Sequence, residues 1–175
     1  MKNIAKVSVL RLKKFEDVEE KQGVYRWWFE KNVADSLLTS FSATDKQKIC
    51  QQIIDGKTYY ALYFGISSDL RMRIRWHANQ KHTQSAVWKG FLSTLRQTLC
   101  ALTGKDMLDP EAKEFVDNLM DSCYWEWEED SNYKATEYAE LTQTAYCYPL
   151  NLQNNHTVCK KWLESISKLR KLHRH

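Results

Sequence analysis

The sequence has little of what makes a chain loose. Two prolines and five glycines in 175 residues leave small room for long flexible linkers, and there is no low-complexity tract or internal repeat. No apolar run approaches the ~18 residues of a membrane-spanning helix, so no membrane partner is expected. The five cysteines, Cys50, Cys100, Cys123, Cys147 and Cys159, are odd in number and scattered, without a C-x-x-C pair. That argues against a disulfide framework. Cys147, His156 and Cys159 lack an evident fourth ligand for zinc, so a structural role is expected for them. The stretch Met1 to Lys6 lacks the apolar segment of a secretory leader. Reduced, mostly buried thiols in a cytoplasmic protein are expected. Neither sign of charge dominates: 26 Lys+Arg against 22 Asp+Glu give a net charge of +4, too small to identify a partner by itself.

What is present suits one soluble α+β domain over residues 1–175. Apolar residues make up 43% and charged residues 27% of the chain, enough for a core and too ordered a mixture for wholesale disorder. Seven tryptophans and nine tyrosines are expected mostly in that core. The charge is unevenly distributed. Arg71, Arg73 and Arg75 precede His77, and Lys168 to His175 is almost free of acids, while Glu126, Glu128, Glu129 and Asp130 cluster. A basic face can hide behind such an average, although a charge run is as readily a solvated helix face.

Along the chain, residues 4–12 read as a strand, and Gln22 to Phe29 as a second, rich in β-formers after a glycine. Residues 44–55 place Ile49, Ile53 and Ile54 at helical spacing behind Thr44-Asp45. Tyr59 to Ile66 reads as a buried central strand. Helices are predicted over 70–79, over 84–102 with Val87, Phe91, Leu95 and Leu99 every four residues, and from Asp109-Pro110 to about Met120. Cys123 to Glu128 alternates like a half-exposed strand. Helix returns from Asn132 to about Ala145, is ended by Pro149, and a last amphipathic helix covers 157–171. Strands interleaved with helices in this order predict a small sheet covered by helices.

The chemistry-bearing residues fall at the strand ends. Gly23-Val24-Tyr25 opens one strand and Tyr63-Phe64-Gly65 closes another. Arg73 and His77 follow, four apart and so on one helix face. Glu137 lies on the helix after the third strand, and Asn151 follows Pro149. In this set and order the chain resembles the GIY-YIG nuclease family from Gly23 to Asn151. The two tripeptides correspond to the family's signatures, Arg73 to its arginine, His77 to its frequently present histidine, Glu137 to its glutamate and Asn151 to its closing asparagine. Glu140, one turn from Glu137, is the competing carboxylate. The resemblance implies a central, mainly antiparallel three-stranded sheet flanked by helices. Residues of about 30–57 become a helical insertion between the two signature strands.

It also implies a metal-dependent endonuclease that hydrolyses DNA phosphodiester bonds, with Tyr25, Tyr63, Arg73, His77 and Glu137 as the catalytic set. Gly23, Gly65 and Asn151 would support the site. The residue types suit the chemistry. A phosphodiester gains negative charge in its transition state, and Arg73 offers a permanent cationic fork for its oxygens. Glu137 would hold Mg²⁺ or Mn²⁺, which prefer oxygen ligands. Tyr25 would act as a base only if neighbouring cations lowered its pKa from about 10. His77 would relay a proton or hydrogen-bond the phosphate, and Tyr63 would orient water or phosphate. Asn151 would lock local backbone or cap a turn. Arg71, Arg75, Lys160, Lys161, Lys168, Arg170 and Lys171 are candidates for DNA-backbone contacts. Cutting both strands of a duplex would call for a homodimer. The competing readings are a nucleic-acid-binding module of this fold without chemistry, and a purely structural or interaction domain.

Overall fold

The computed structural model describes residues 1–175. Its sheet has five antiparallel strands, β1 (Asn3–Lys6), β2 (Gly23–Glu30), β3 (Gln51–Ile54), β4 (Lys57–Ser67) and β5 (Tyr124–Glu129), ordered β1-β5-β2-β4-β3. The three strands of the sheet that the resemblance implies form its centre, β5-β2-β4. Two short edge strands correct the count from three to five. The helices are α1 (Val7–Leu12), α2 (Lys31–Leu37), α3 (Ala43–Lys46), α4 (Leu70–Asn79), α5 (Gln84–Trp88), α6 (Thr94–Leu102), α7 (Pro110–Asp121), α8 (Tyr133–Thr142) and α9 (Lys160–Leu172). None is long and apolar enough to cross a membrane.

Each departure from the sequence reading has a local cause. The expected strand over 4–12 pairs with β5 only to Lys6, then turns into α1, where Val7 and Leu10 are fully buried at helical spacing. The expected helix over 44–55 survives only as α3, capped by Ser42. Asp55 (φ 48°) and Gly56 (φ 74°) both take left-handed backbone, the requirement of a two-residue type I′ hairpin. Ile53 and Ile54 therefore pair with Thr58 and Lys57 as strand β3. The segment between the signature strands thus mixes helix and hairpin. The expected helix over 84–102 breaks at Gly90, whose φ of 74° no helix accommodates, and restarts as α6 under a Ser93 cap. Helix α8 stops at Thr142, well before Pro149.

Strand β2 is buried on both sides, which separates two cores. Tyr25, Trp27 and Phe29 face the larger one with Leu62, Trp125 and Trp127, under most of the helices. Val24 and Trp28 face a smaller one with Tyr59, Ala61, Phe64, Leu141 and Tyr148, beneath α8. Between β2 and β4 the register slips at Trp27/Trp28, so that Trp27 faces Tyr63 and Trp28 faces Ala61, leaving Leu62 unopposed. Strand side chains alternate faces, so this bulge places both Leu62 and Tyr63 on the larger-core side. Without it, Leu62 would oppose Trp28 and face the smaller core; Tyr63 shares the Tyr25 face through the regular pairs Tyr25–Gly65 and Trp27–Tyr63.

Helix α4 is held against α6 and α7 by one buried cation. Arg96 of α6 is fully buried. It pairs with Asp117 of α7 at 2.6 Å, donates to the His77 carbonyl at 2.8 Å and to His82 Nε2 at 2.9 Å. A buried ion pair that loses one partner leaves an uncompensated charge and orphaned acceptors. Arg96→Met is therefore expected to cost roughly 3–5 kcal/mol in urea unfolding. A change below about 1 kcal/mol would show that the pair is not structural.

Candidate active site

The two signature glycines are required by close approach, not by turns. A Cβ on Gly23 would lie 2.1 Å from the Glu128 carbonyl oxygen of β5, and one on Gly65 would lie 2.4 Å from the Tyr25 ring. Gly65 faces Tyr25 across the β2–β4 ladder, so the phenol lies flat over the glycine. This fixes where the Tyr25 hydroxyl ends: 2.9 Å from Nε2 of His77. The other ring nitrogen, Nδ1, is hydrogen-bonded to the Ser93 hydroxyl at 2.7 Å. Tyr63 lies beside Tyr25, ring centroids 6.3 Å apart, and 6.1 Å from His77.

Arg73, one turn before His77 on α4, lies over the Trp76 ring at 5.1 Å and has no carboxylate partner in the chain. From the far side of β4, α8 brings Glu137 to a cavity of about 120 Å³ that it lines with Tyr63, Thr94, Leu141 and Asn151. Glu137 likewise has no hydrogen-bonded partner and feels the charge of Arg73. Tyr25, Tyr63 and His77 thus touch one another, Glu137 shares a cavity with Tyr63, and Arg73 lines a separate hollow with Asp69, Met72 and Trp76. Glu140 is elsewhere. It pairs with Arg26 at 3.0 Å and accepts from the Tyr148 and Tyr146 hydroxyls at 2.8 and 3.2 Å, on the smaller-core face. Of the two carboxylates one turn apart, only Glu137 is free.

Asn151 serves the backbone. Its side-chain oxygen accepts from the Phe64 N–H at 2.8 Å and its amide donates to the Phe64 carbonyl at 2.7 Å. Beyond the reach of β3, this pair of bonds stands in for the missing neighbour strand along β4. It holds Tyr63 and Gly65 in place from the residue between them.

Electrostatics assign states to these groups. Burial, reinforced by Arg73 and Arg96, holds the His77 imidazole well below its ordinary range, so it is neutral at physiological pH. Burial likewise pushes the Tyr25 phenol well above its ordinary value, Tyr63 adding to the effect and Arg73 opposing it. The condition under which Tyr25 could itself be the base, a pKa lowered by cations, is therefore not met in the free protein. His77 is only 1% exposed, with both nitrogens engaged, so a direct hydrogen bond from it to a phosphate is not available either. Burial raises the Glu137 carboxyl, with Arg73 pulling the other way.

Among the proposed DNA contacts, two arginines are committed to the fold. Arg71 donates to the Val18 and Glu16 carbonyls and pairs with Glu20 at 2.6 Å; Arg75 donates to the Lys14 carbonyl at 3.0 Å. Both clasp the 14–20 loop. Lys160, Lys161, Lys168 and Lys171 stand exposed on α9, Lys160 only loosely paired with Glu164 at 3.8 Å. Arg170 turns inward, its guanidinium donating to Gln97 at 2.6 Å. Two site-supporting residues escaped the sequence reading, Ser93 and Thr94. Gly90 was the signal, because a helix restarting after it needs a serine or threonine cap.

The fit to a divalent cation is that of one free carboxylate in a small polar hollow. No group of three or more His, Cys, Asp or Glu side chains converges anywhere in the chain. A family model described as the GIY-YIG catalytic domain matches residues 23–172. No curated protein and no solved structure matches the chain.

The raised Glu137 carboxyl gives a prediction with a definite sign. A carboxyl that titrates higher folded than unfolded holds its proton more tightly in the fold, so ionising it destabilises the protein. That cost is fully present at neutral pH and vanishes as pH falls below the ordinary carboxylate range of about 4. Glu137→Gln is therefore expected to raise Tm at pH 7 in the absence of metal, with the gain shrinking toward pH 4. A lowered Tm at pH 7 would be incompatible with this assignment.

Proposed function

From the premise that this chain belongs to the GIY-YIG catalytic domain family, a family of nucleases, we propose that it is a metal-dependent endonuclease that hydrolyses phosphodiester bonds in DNA. The observation that carries the reading is the cluster Tyr25–His77–Tyr63, in which Tyr63 also lines a small cavity with the unpaired Glu137, while Arg73 stands one turn from His77 without a carboxylate partner. Arg73 and Glu137 contribute charges of opposite sign that nothing else in the chain neutralises. A phosphodiester with a bound cation carries the complementary pair.

In this reading Arg73 pairs with the non-bridging phosphate oxygens, held over Trp76 so that little side-chain freedom is lost on binding. Tyr63, which lines the cavity, orients the attacking water. The water's proton passes to the Tyr25 oxygen as the Tyr25 hydroxyl proton passes to Nε2 of His77. The neutral ring then becomes an imidazolium. Ser93, at Nδ1, fixes the ring's orientation for this transfer. The substrate phosphate restores part of the basicity that burial and two arginines remove from His77. Glu137 would hold Mg²⁺ or Mn²⁺; when bound, such an ion offsets charge on the phosphoryl and leaving oxygens. Two copies of the chain would serve a duplex cut on both strands.

The test is supercoiled-plasmid nicking with Mg²⁺ or Mn²⁺ by wild type, Arg73→Ala and Glu137→Gln. Each variant is expected to lose at least about 100-fold in rate, the scale of removing one charge-stabilising group. Equal cutting by all three would sink the mechanism. Binding of DNA by a wild type that cuts no duplex, branched or single-stranded substrate would instead favour a binding module.

A further inference from the structure

Helix α4 divides its side chains between two faces. Leu70, Ile74, His77 and Ala78 are buried, whereas Met72 is 63% and Trp76 37% exposed. A methionine and a tryptophan one turn apart thus leave apolar area in water on the same helix face. They do not stand on open surface. Together with Arg73 they line a hollow of about 220 Å³, whose remaining wall is Ser67, Ser68 and Asp69. That wall is held by its own bonds. The Ser67 hydroxyl donates to the Asp69 carbonyl at 2.6 Å and accepts the Asp69 N–H at 3.1 Å. The Asp69 carboxylate accepts the Met72 N–H at 2.8 Å as the cap of α4. Asp69 is therefore committed to the helix, and Arg73 keeps only the Trp76 ring, at 5.1 Å.

What fills this hollow follows from what Arg73 holds. In the reading above it pairs with a phosphodiester, and every phosphate of a nucleic acid carries a nucleoside one sugar away. The hollow that Arg73 itself lines offers that nucleoside an indole and a thioether. Bases stack on aromatic rings whatever their sequence, and a guanidinium adds to such a stack. Trp76 also adjoins the Tyr25–His77 pair, its ring centroid 5.4 Å from that of His77.

We propose that the hollow is a base-binding subsite: a nucleotide adjoining the phosphate held by Arg73 turns its base out of the helical stack and packs it on Trp76 and Met72. Its place in catalysis rests on the nuclease reading; the stacking does not. Unstacking costs least where a base is already unpaired. The subsite therefore selects DNA with an unpaired nucleotide at the cut over intact duplex.

The experiment measures affinity, without metal, for two short single strands with the same phosphates, one carrying thymines and the other abasic. Wild type is expected to favour the thymine strand at least about fivefold, the lower end for one stacked base. Trp76→Ala should bring the two affinities within about twofold of each other, and Trp76→Phe, which keeps a ring, should retain part of the preference. Trp88→Ala removes a 64% exposed indole from α5 and should change nothing. The ratio is the readout because loss of the ring beneath Arg73 alone would weaken both strands alike. A wild type without the preference, or a Trp76→Ala protein that keeps it, overturns the proposal. So does a Trp88→Ala protein that loses it, which moves the stacking elsewhere. If Trp76→Ala does not fold, Met72→Ala decides: a preference narrowed at least about twofold supports the subsite, and an unchanged one overturns it. Plasmid nicking in parallel separates the two readings. Preference without cutting of any DNA keeps the subsite and discards the nuclease, while cutting without preference does the reverse.

Discussion

The hydrogen bond between the Tyr25 phenol and the His77 imidazole ties the sheet to the helix that carries the cationic half of the site. At 2.9 Å, and with His77 almost fully buried, it tolerates little displacement of either element. Its demands explain residues that are otherwise unremarkable. The phenol needs a flat bed, so Gly65 has no side chain. The imidazole needs its second nitrogen satisfied, so Ser93 caps α6 at that point. The helix backbone at His77 needs support, so Arg96 is buried beneath it with Asp117 as counter-charge. Satisfied on both nitrogens and stripped of water, the ring stays neutral, the state in which it can accept a proton.

How much of this could be read from the sequence depends on whether the signal is local. The central strands, α4 and α7 were legible because their periods and their caps, Asp69 and Asp109, are written in adjacent residues. The hairpin between β3 and β4 was hidden by isoleucines at helical spacing, although Asp55-Gly56 is a strong turn signal in its own right. Gly90 was outvoted in the same way by Val87, Phe91 and Leu95. The bulge at Leu62 was invisible. Nothing local in a run of β-formers says which residue is left unopposed, yet the bulge decides which core Leu62 enters.

The site residues show the same division. Arg73 and His77 could be paired from their spacing, since a helix brings i and i+4 together. Glu137 and Glu140 could not be separated that way, because the positions one turn apart differ in what each meets across the sheet. Glu140 is occupied by Arg26 from distant β2 and by Tyr146 and Tyr148 from the segment just after α8, none of which helical spacing reveals. Arg71 and Arg75 illustrate the converse. A basic run suggested DNA, but these guanidinium groups are consumed by carbonyls of the 14–20 loop, an interaction that leaves no trace in spacing or composition.

What remains, once the satisfied groups are set aside, is a short set of charges that the fold leaves uncompensated. Elsewhere the chain pairs its buried ions with care: Arg96 with Asp117, Arg26 with Glu140 and Glu126. Around Tyr63 it does the opposite. Glu137 is raised by burial without a bonded partner, and Arg73 has only an aromatic ring beneath it. The charge of Arg73 acts on Glu137 without the two closing into a salt bridge, the neutralisation that would cost least. Holding them apart costs stability in the free protein, a cost that the proposed phosphodiester and cation would offset together. Unspent charge of this kind, gathered at one place in an otherwise well-paired molecule, is the physical mark that separates a site from a surface.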